Sequence, residues 1–170
     1  MSTIAAAIER LEAAVDRRSG FGVGTSRSVT TSTDALRCRT HEGPWSIDAD
    51  LPGTLGGDGS ASTPGVLLRA ALGSCMAMSY RLRAAKHGIE IAAIQVTVEA
   101  DSELAGMLSC DAPAPPGYAE IRYHVEIESP APADQVTRII DEGDRLSPLL
   151  DVFTRTNTMR RTTTIRPSEV

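Results

Sequence analysis

"TPGVLLRAALGSCMAMSYRLRAAKHG", residues 63–88, is the stretch on which the fold turns. It opens as a helix start. Thr63 is a good N-cap, and Pro64 suits the first helical position because its missing N–H would have no partner there. It closes as a helix end. Lys86 and His87 suit the negative end of the helix dipole, and Gly88 suits the left-handed residue beyond it. In between, the spacing predicts a stripe of Leu68, Leu72 (or Ala71), Cys75, Met78, Ser79 and Leu82. Leu67, Ala70, Ala77 and Ala84 fall off that stripe. A helix apolar on more than one side is expected to be central and buried.

The flanking sequence supplies the other layers. Residues 3–17 predict an amphipathic helix, with Ile4, Ile8, Leu11 and Val15 on one side. "SGFGVGTS" follows; its G-x-G comes after a helix and opens none, so it reads as a linker and not as a dinucleotide fingerprint. Residues 28–50 read as a β-meander with a turn at "HEGP". Residues 89–101 and 118–129 predict strands. Ile121, Tyr123, Val125 and Ile127 point one way, while Arg122, His124, Glu126 and Glu128 face solvent. The Pro- and Gly-rich stretch between these strands is expected to be a hairpin-type excursion. A helix is expected over 132–146 with Val136, Ile139, Ile140 and Leu146 inward, then a short helix begun by Ser147 and Pro148, then a last strand over 158–166. The expectation is an α+β protein, antiparallel sheet around a long buried helix. Its parts are a helix over 1–20, a linker over 21–27 and a domain over 28–170.

Composition narrows the function. The chain has 170 residues and a net charge of -5, which argues against a general nucleic-acid binder. No apolar run approaches the roughly 20 residues that span a bilayer. The N-terminus lacks a basic start followed by an apolar core, so a cytoplasmic protein is expected. Cys38, Cys75 and Cys110 are too few for a disulfide framework, and no cysteine stands at metal-ligand spacing with His41, His87 or His124. No metal or cofactor is expected. Two readings of Cys75 remain open: a reactive thiol, or a small hydrophobe in a core.

The stretch "GGDGSASTPGVLLRAALGSCMAMSYRLRAAKHGI", followed by a strand, "PPGYAEIRYHVEIESPA", a helix, "SPLLDVF" and a last strand, resembles the OsmC/Ohr family of hydroperoxide-detoxifying proteins. The resemblance implies an intertwined homodimer, with sheets wrapped around a pair of central helices and active sites at the subunit interface. It implies reduction of organic hydroperoxides by a peroxidatic cysteine, resolved by a second cysteine and returned to the thiol by a dithiol or lipoylated protein. By position, Cys75 matches the peroxidatic cysteine. Ser147 stands at the resolving cysteine and Gly65 at an assisting glutamate. Arg39 or Arg37 is the candidate for the assisting arginine.

The chemistry sets requirements. A free thiol is only slightly ionised at neutral pH, and the thiolate is the nucleophile. Cys75 is expected mid-helix, where the helix dipole does little, so a cation must come from elsewhere in the fold. Arg69, six residues earlier, is expected to point away by helical rotation. Ser147 cannot form a disulfide, and its N-cap role explains it without catalysis. Cys38 or Cys110 could resolve a sulfenic acid instead, or an external thiol could. The alternative function is a non-catalytic dimer that holds a small apolar ligand. A structural stress-response dimer is a third.

Overall fold

Thr63 does cap the long helix: its side chain accepts from the Val66 N–H, Pro64 is the first helical residue, and Gly88 ends the helix in the left-handed region at φ 68°. The structure, a computed structural model, describes residues 3–32, 35–108 and 113–167. Helix α1 spans Thr3–Arg17, α2 Pro64–His87, α3 Leu104–Leu108, α4 Ala133–Arg145 and α5 Pro148–Thr154. The strands are β1 Val29–Thr31, β2 Cys38–Glu42, β3 Trp45–Ala49, β4 Ala93–Ser102 and β5 Tyr118–Glu128. They form two antiparallel sheets, β1-β2-β3 and β4-β5. The β4–β5 pair is the longer ladder, running from Ala93 opposite Glu128 to Ser102 opposite Tyr118 with an irregularity at Asp101/Ser102.

The core lies between α2, α4 and the β4–β5 sheet. Leu72, Met76, Tyr80, Ala84, Ile91 and Ile139 are its buried members, and Val96, Val98, Ile121, Val125 and Ile127 pack against it from the sheet. The buried stripe of α2 therefore runs through Met76 and Tyr80, rotated from the expected one. Leu72 and Ser79 are buried as predicted, but Met78 is 63% exposed and Leu82 39%. The cause is the sequence itself: with small and apolar residues on every side, α2 carries little phase information. In a single chain α2 is buried along one side only. Leu146 also differs, lying exposed at the C-cap of α4 instead of inward.

Two further expectations change. The excursion between β4 and β5 contains the short helix α3. Residues 158–166 form no strand and pair with neither sheet. The expectations for α1, the three-strand meander, β5, α4 and α5 are met to within a few residues at the ends. His124 is exposed, as its alternation requires. Among the described residues no helix is long and apolar enough to cross a membrane.

One buried carboxylate organises the loop before α2. Asp50, 2% exposed, accepts from the backbone N–H groups of Leu51 (2.8 Å), Asp58 (3.2 Å) and Ser60 (2.9 Å) and from the Ser60 hydroxyl (2.9 Å). These donors, the Ser60 N–H foremost, hold its pKa below the ordinary carboxylate value despite desolvation. A depressed folded-state pKa contributes stability above the unfolded value of about 4, and that stability is lost as pH falls through the folded value. Urea midpoints measured from pH 6 down to pH 2 should therefore fall less steeply for Asp50→Asn than for the parent chain. Equal slopes would show that Asp50 takes no part in acid unfolding.

Candidate functional site

Cys75 sits mid-way along α2, on the flank that meets the α4–α5 corner. Its Sγ lies 3.6 Å from the Oγ of Ser147. Ser147 is 1% exposed and caps α5, its Oγ accepting from the Leu150 N–H at 3.3 Å. Fold topology thus brings together two residues 72 positions apart. Cys75 itself is partly buried.

A set of polar bonds one turn along α2 fixes this contact. The Ser79 hydroxyl donates to the Gly143 carbonyl at 2.9 Å. The Tyr80 hydroxyl donates to one Asp144 carboxylate oxygen at 2.6 Å, and the Tyr123 hydroxyl of β5 donates to the other at 2.9 Å. The Ser147 N–H closes on the Asp144 carbonyl at 3.3 Å. Burial, then the bond to Asp144, raises the pKa of both tyrosines, so each remains a hydroxyl donor at neutral pH. Asp144 therefore ties the end of α4 to α2 and β5, and Ser147 follows three residues later. Sequence reading missed this residue. The available signal was Tyr80 itself: a tyrosine on a buried helix face needs a partner for its hydroxyl.

The expected glutamate position has a different occupant. A Cβ built on Gly65 would stand 2.7 Å from the Tyr118 hydroxyl oxygen. That hydroxyl accepts from Arg69 Nη1 at 3.2 Å. Arg69 is thus engaged at the sheet and away from Cys75, as rotation about the helix requires.

Arg37 and Arg39 do not reach Cys75 within the chain. Both close on Asp48 of β3: Arg37 Nη2 at 2.7 Å, Arg39 Nε and Nη2 at 2.7 and 2.8 Å. The two guanidinium groups hold the Asp48 carboxyl well below its usual range. Cys38 is partly buried, its thiol 3.8 Å from the Leu36 carbonyl. Cys110 lies outside the described residues. At the far end of α2, Glu142 bonds His87 Nε2 at 2.7 Å and Arg83 Nη1 at 3.4 Å, which lowers its pKa, and Lys86 pairs with Glu12 of α1 at 2.5 Å. That last pair helps seat α1 on α2. Among the described residues no three His, Cys, Asp or Glu side chains cluster as a metal site.

A two-sheet α+β fold with a helix-borne thiol facing a capping residue defines the class of protein. The chain belongs to the OsmC family: the model for "OsmC-like protein" matches residues 57–161. Solved structures agree. An OsmC-like protein from Mycoplasma pneumoniae aligns with a TM-score of 0.64 at 18% identity, over 76% of this chain and 87% of that one. An organic hydroperoxide resistance protein from Legionella pneumophila gives 0.59 at 17%, over 78% and 91%. The organic hydroperoxide resistance protein OhrB of Bacillus subtilis gives 0.51 at 14%, over 77% and 91%. No curated protein matches the sequence significantly.

Proposed function

We propose that this protein is a one-cysteine peroxidase of organic hydroperoxides, with Cys75 as nucleophile. The observation that carries this reading is the 3.6 Å approach of Cys75 to Ser147, which joins the two positions where the family resemblance places its reacting thiols. The Cys75 thiolate attacks the outer peroxide oxygen. The O–O bond breaks, the alkoxide takes a proton and leaves as the alcohol, and the sulfur becomes a sulfenic acid. One sulfur of an external dithiol, such as a lipoyl group, condenses with that sulfenic acid and releases water. The dithiol's second sulfur then displaces the Cys75 thiol, and the reductant departs as a disulfide.

The working form is a homodimer. The isolated chain exposes 12,911 Å², against about 8,000 Å² expected for a compact 18.0 kDa monomer. The excess is on the scale of an obligate interface. Exposed Met78 and Leu82 of α2 and Trp45 and Ile47 of β3 supply apolar surface for it. Pairing would also bring a partner's β1–β3 sheet, with Arg37 or Arg39, towards Cys75. Light scattering coupled to size exclusion should give about twice the chain mass at micromolar concentration; a monomer would overturn this assembly.

The decisive assay is turnover of cumene hydroperoxide with dithiothreitol or a lipoyl dithiol. Cys75→Ser should lower it at least 100-fold, and peroxide-treated parent chain should yield a dimedone adduct at Cys75. No turnover and no adduct would sink the reading. One observation favours the ligand-binding alternative: a mostly apolar groove of about 380 Å³ lined by Ile4, Ala77, Met78, Arg81, Leu82 and Ile94. Native mass spectrometry of the purified dimer carrying a small apolar molecule, together with an inert Cys75, would support it.

A further inference from the structure

The geometry points to the Ser147 hydroxyl as the hydrogen-bond donor that holds the Cys75 thiolate and then its sulfenate. The inference rests on Cys75 being the reacting thiol, and it gives Ser147 a role in the reaction in addition to its cap.

A serine oxygen offers one proton and two lone pairs. In Ser147 one lone pair accepts the Leu150 N–H, which is the cap. Its proton is not used by the cap. Cys75 Sγ, 3.6 Å away, is within reach of that proton. In the neutral thiol either group can donate. Once the thiol is deprotonated the sulfur can only accept, so the bond must run from Ser147 to Cys75. A donor aimed at the charged form favours that form, and the gain is largest where water is excluded. Ser147 is 1% exposed. The same proton can then reach the oxygen that the sulfur acquires from the peroxide.

Position completes the argument. Capping bonds from serine usually occur at solvent-exposed helix starts, where the hydroxyl proton goes to water. Here the cap is buried against α2. The Ser79–Gly143 bond and the Tyr80 and Tyr123 bonds to Asp144 hold the chain just before Ser147, so the hydroxyl has little freedom to turn away. Asp144 is accordingly a positioning residue. Ser147 contacts the reacting sulfur and cannot resolve it, so it stabilises the sulfenate without forming a disulfide itself.

The test compares the full-length dimer with Ser147→Ala and Ser147→Thr. Iodoacetamide alkylation of Cys75 is followed by peptide mass spectrometry across pH, below the melting range of each variant. Ser147→Ala should move the midpoint of the alkylation profile upward by about one pH unit and slow alkylation at neutral pH several-fold. Ser147→Thr keeps a hydroxyl and should stay close to the parent profile. Lost capping alone changes the melting temperature and leaves the midpoint in place. An unchanged midpoint in Ser147→Ala overturns the inference, as does an equal shift in Ala and Thr, which would assign the effect to site shape. Dimedone capture after cumene hydroperoxide separates the two levels. If the parent chain gives no adduct at Cys75, the peroxidase reading fails. If it gives an adduct and the midpoints do not move, only the Ser147 inference fails.

Discussion

Ser147→Cys should turn the one-cysteine site into a two-cysteine one. The parent Sγ to Oγ separation is 3.6 Å, and a sulfur at position 147 extends further from its Cβ than the oxygen does. A disulfide needs about 2.05 Å between sulfurs, so the two side chains must close on each other from this approach by rotation. One equivalent of cumene hydroperoxide should oxidise Cys75 to the sulfenic acid. The new thiol should condense with it, releasing water. Non-reducing peptide mapping should find the two positions linked, and dimedone capture, present in the parent chain, should vanish. Stability should move in opposite directions in the two redox states. The reduced variant loses a good N-cap, at about 1 kcal/mol. The oxidised variant closes a loop whose ends are 72 residues apart, worth up to about 4 kcal/mol by chain entropy. A variant that keeps giving the dimedone adduct and forms no link would show that the α4–α5 corner does not hold position 147 on Cys75.

Gly143→Ala should be among the most damaging single-methyl additions to the chain. The added Cβ would lie 2.4 Å from Tyr80 Cδ1 and 2.8 Å from Cε1. Tyr80 cannot easily give way. Its ring is fully buried and its hydroxyl is fastened to Asp144, one residue along the same helix as Gly143. Alanine favours a helix over glycine by about 1 kcal/mol, but overpacking of this kind costs about 1–3 kcal/mol and here forces backbone movement. We expect a net loss of about 2 kcal/mol in urea unfolding. Gly73→Ala provides the contrast. Its Cβ would meet Val98 Cγ2 at 3.4 Å and the Val96 carbonyl at 3.7 Å, which is ordinary contact. That variant should gain up to about 1 kcal/mol. If Gly143→Ala proved as stable as Gly73→Ala, the close seating of α4 on Tyr80 would be wrong.

These two glycines illustrate what sequence could and could not reveal. The ends of α2 were legible because Thr63, Pro64 and Gly88 act locally, each through its own backbone. The cap at Ser147 was legible for the same reason. The face that α2 buries was not, because its apolar residues surround the helix and only the partners on α4 and β4 choose among them. The Arg37 and Arg39 pairing with Asp48 depends on cross-strand register, Arg39 standing opposite Asp48, which no local pattern encodes. The last segment was expected as a strand from its composition. A strand also needs a partner to bond with, and the segment's own composition names none. For the proposed site, the family resemblance implied that Cys75 and Ser147 stand at partner positions, and their side chains lie 3.6 Å apart. The meeting of Gly143, Asp144, Tyr80 and Tyr123 that holds them together is a long-range property of the fold.

The Tyr118 hydroxyl beside Gly65 has a genetic consequence. Placing a glutamate at position 65 would bring a side chain against the tyrosine hydroxyl, 2.7 Å from the new Cβ, and disturb the bond from Arg69. Gly65→Glu should therefore cost stability unless the Tyr118 side chain swings aside, and the cost should shrink in Gly65→Glu combined with Tyr118→Ala. Positions 65 and 118 should therefore be coupled: in a double-mutant cycle, Gly65→Glu should cost less once Tyr118 is shortened than in the parent chain.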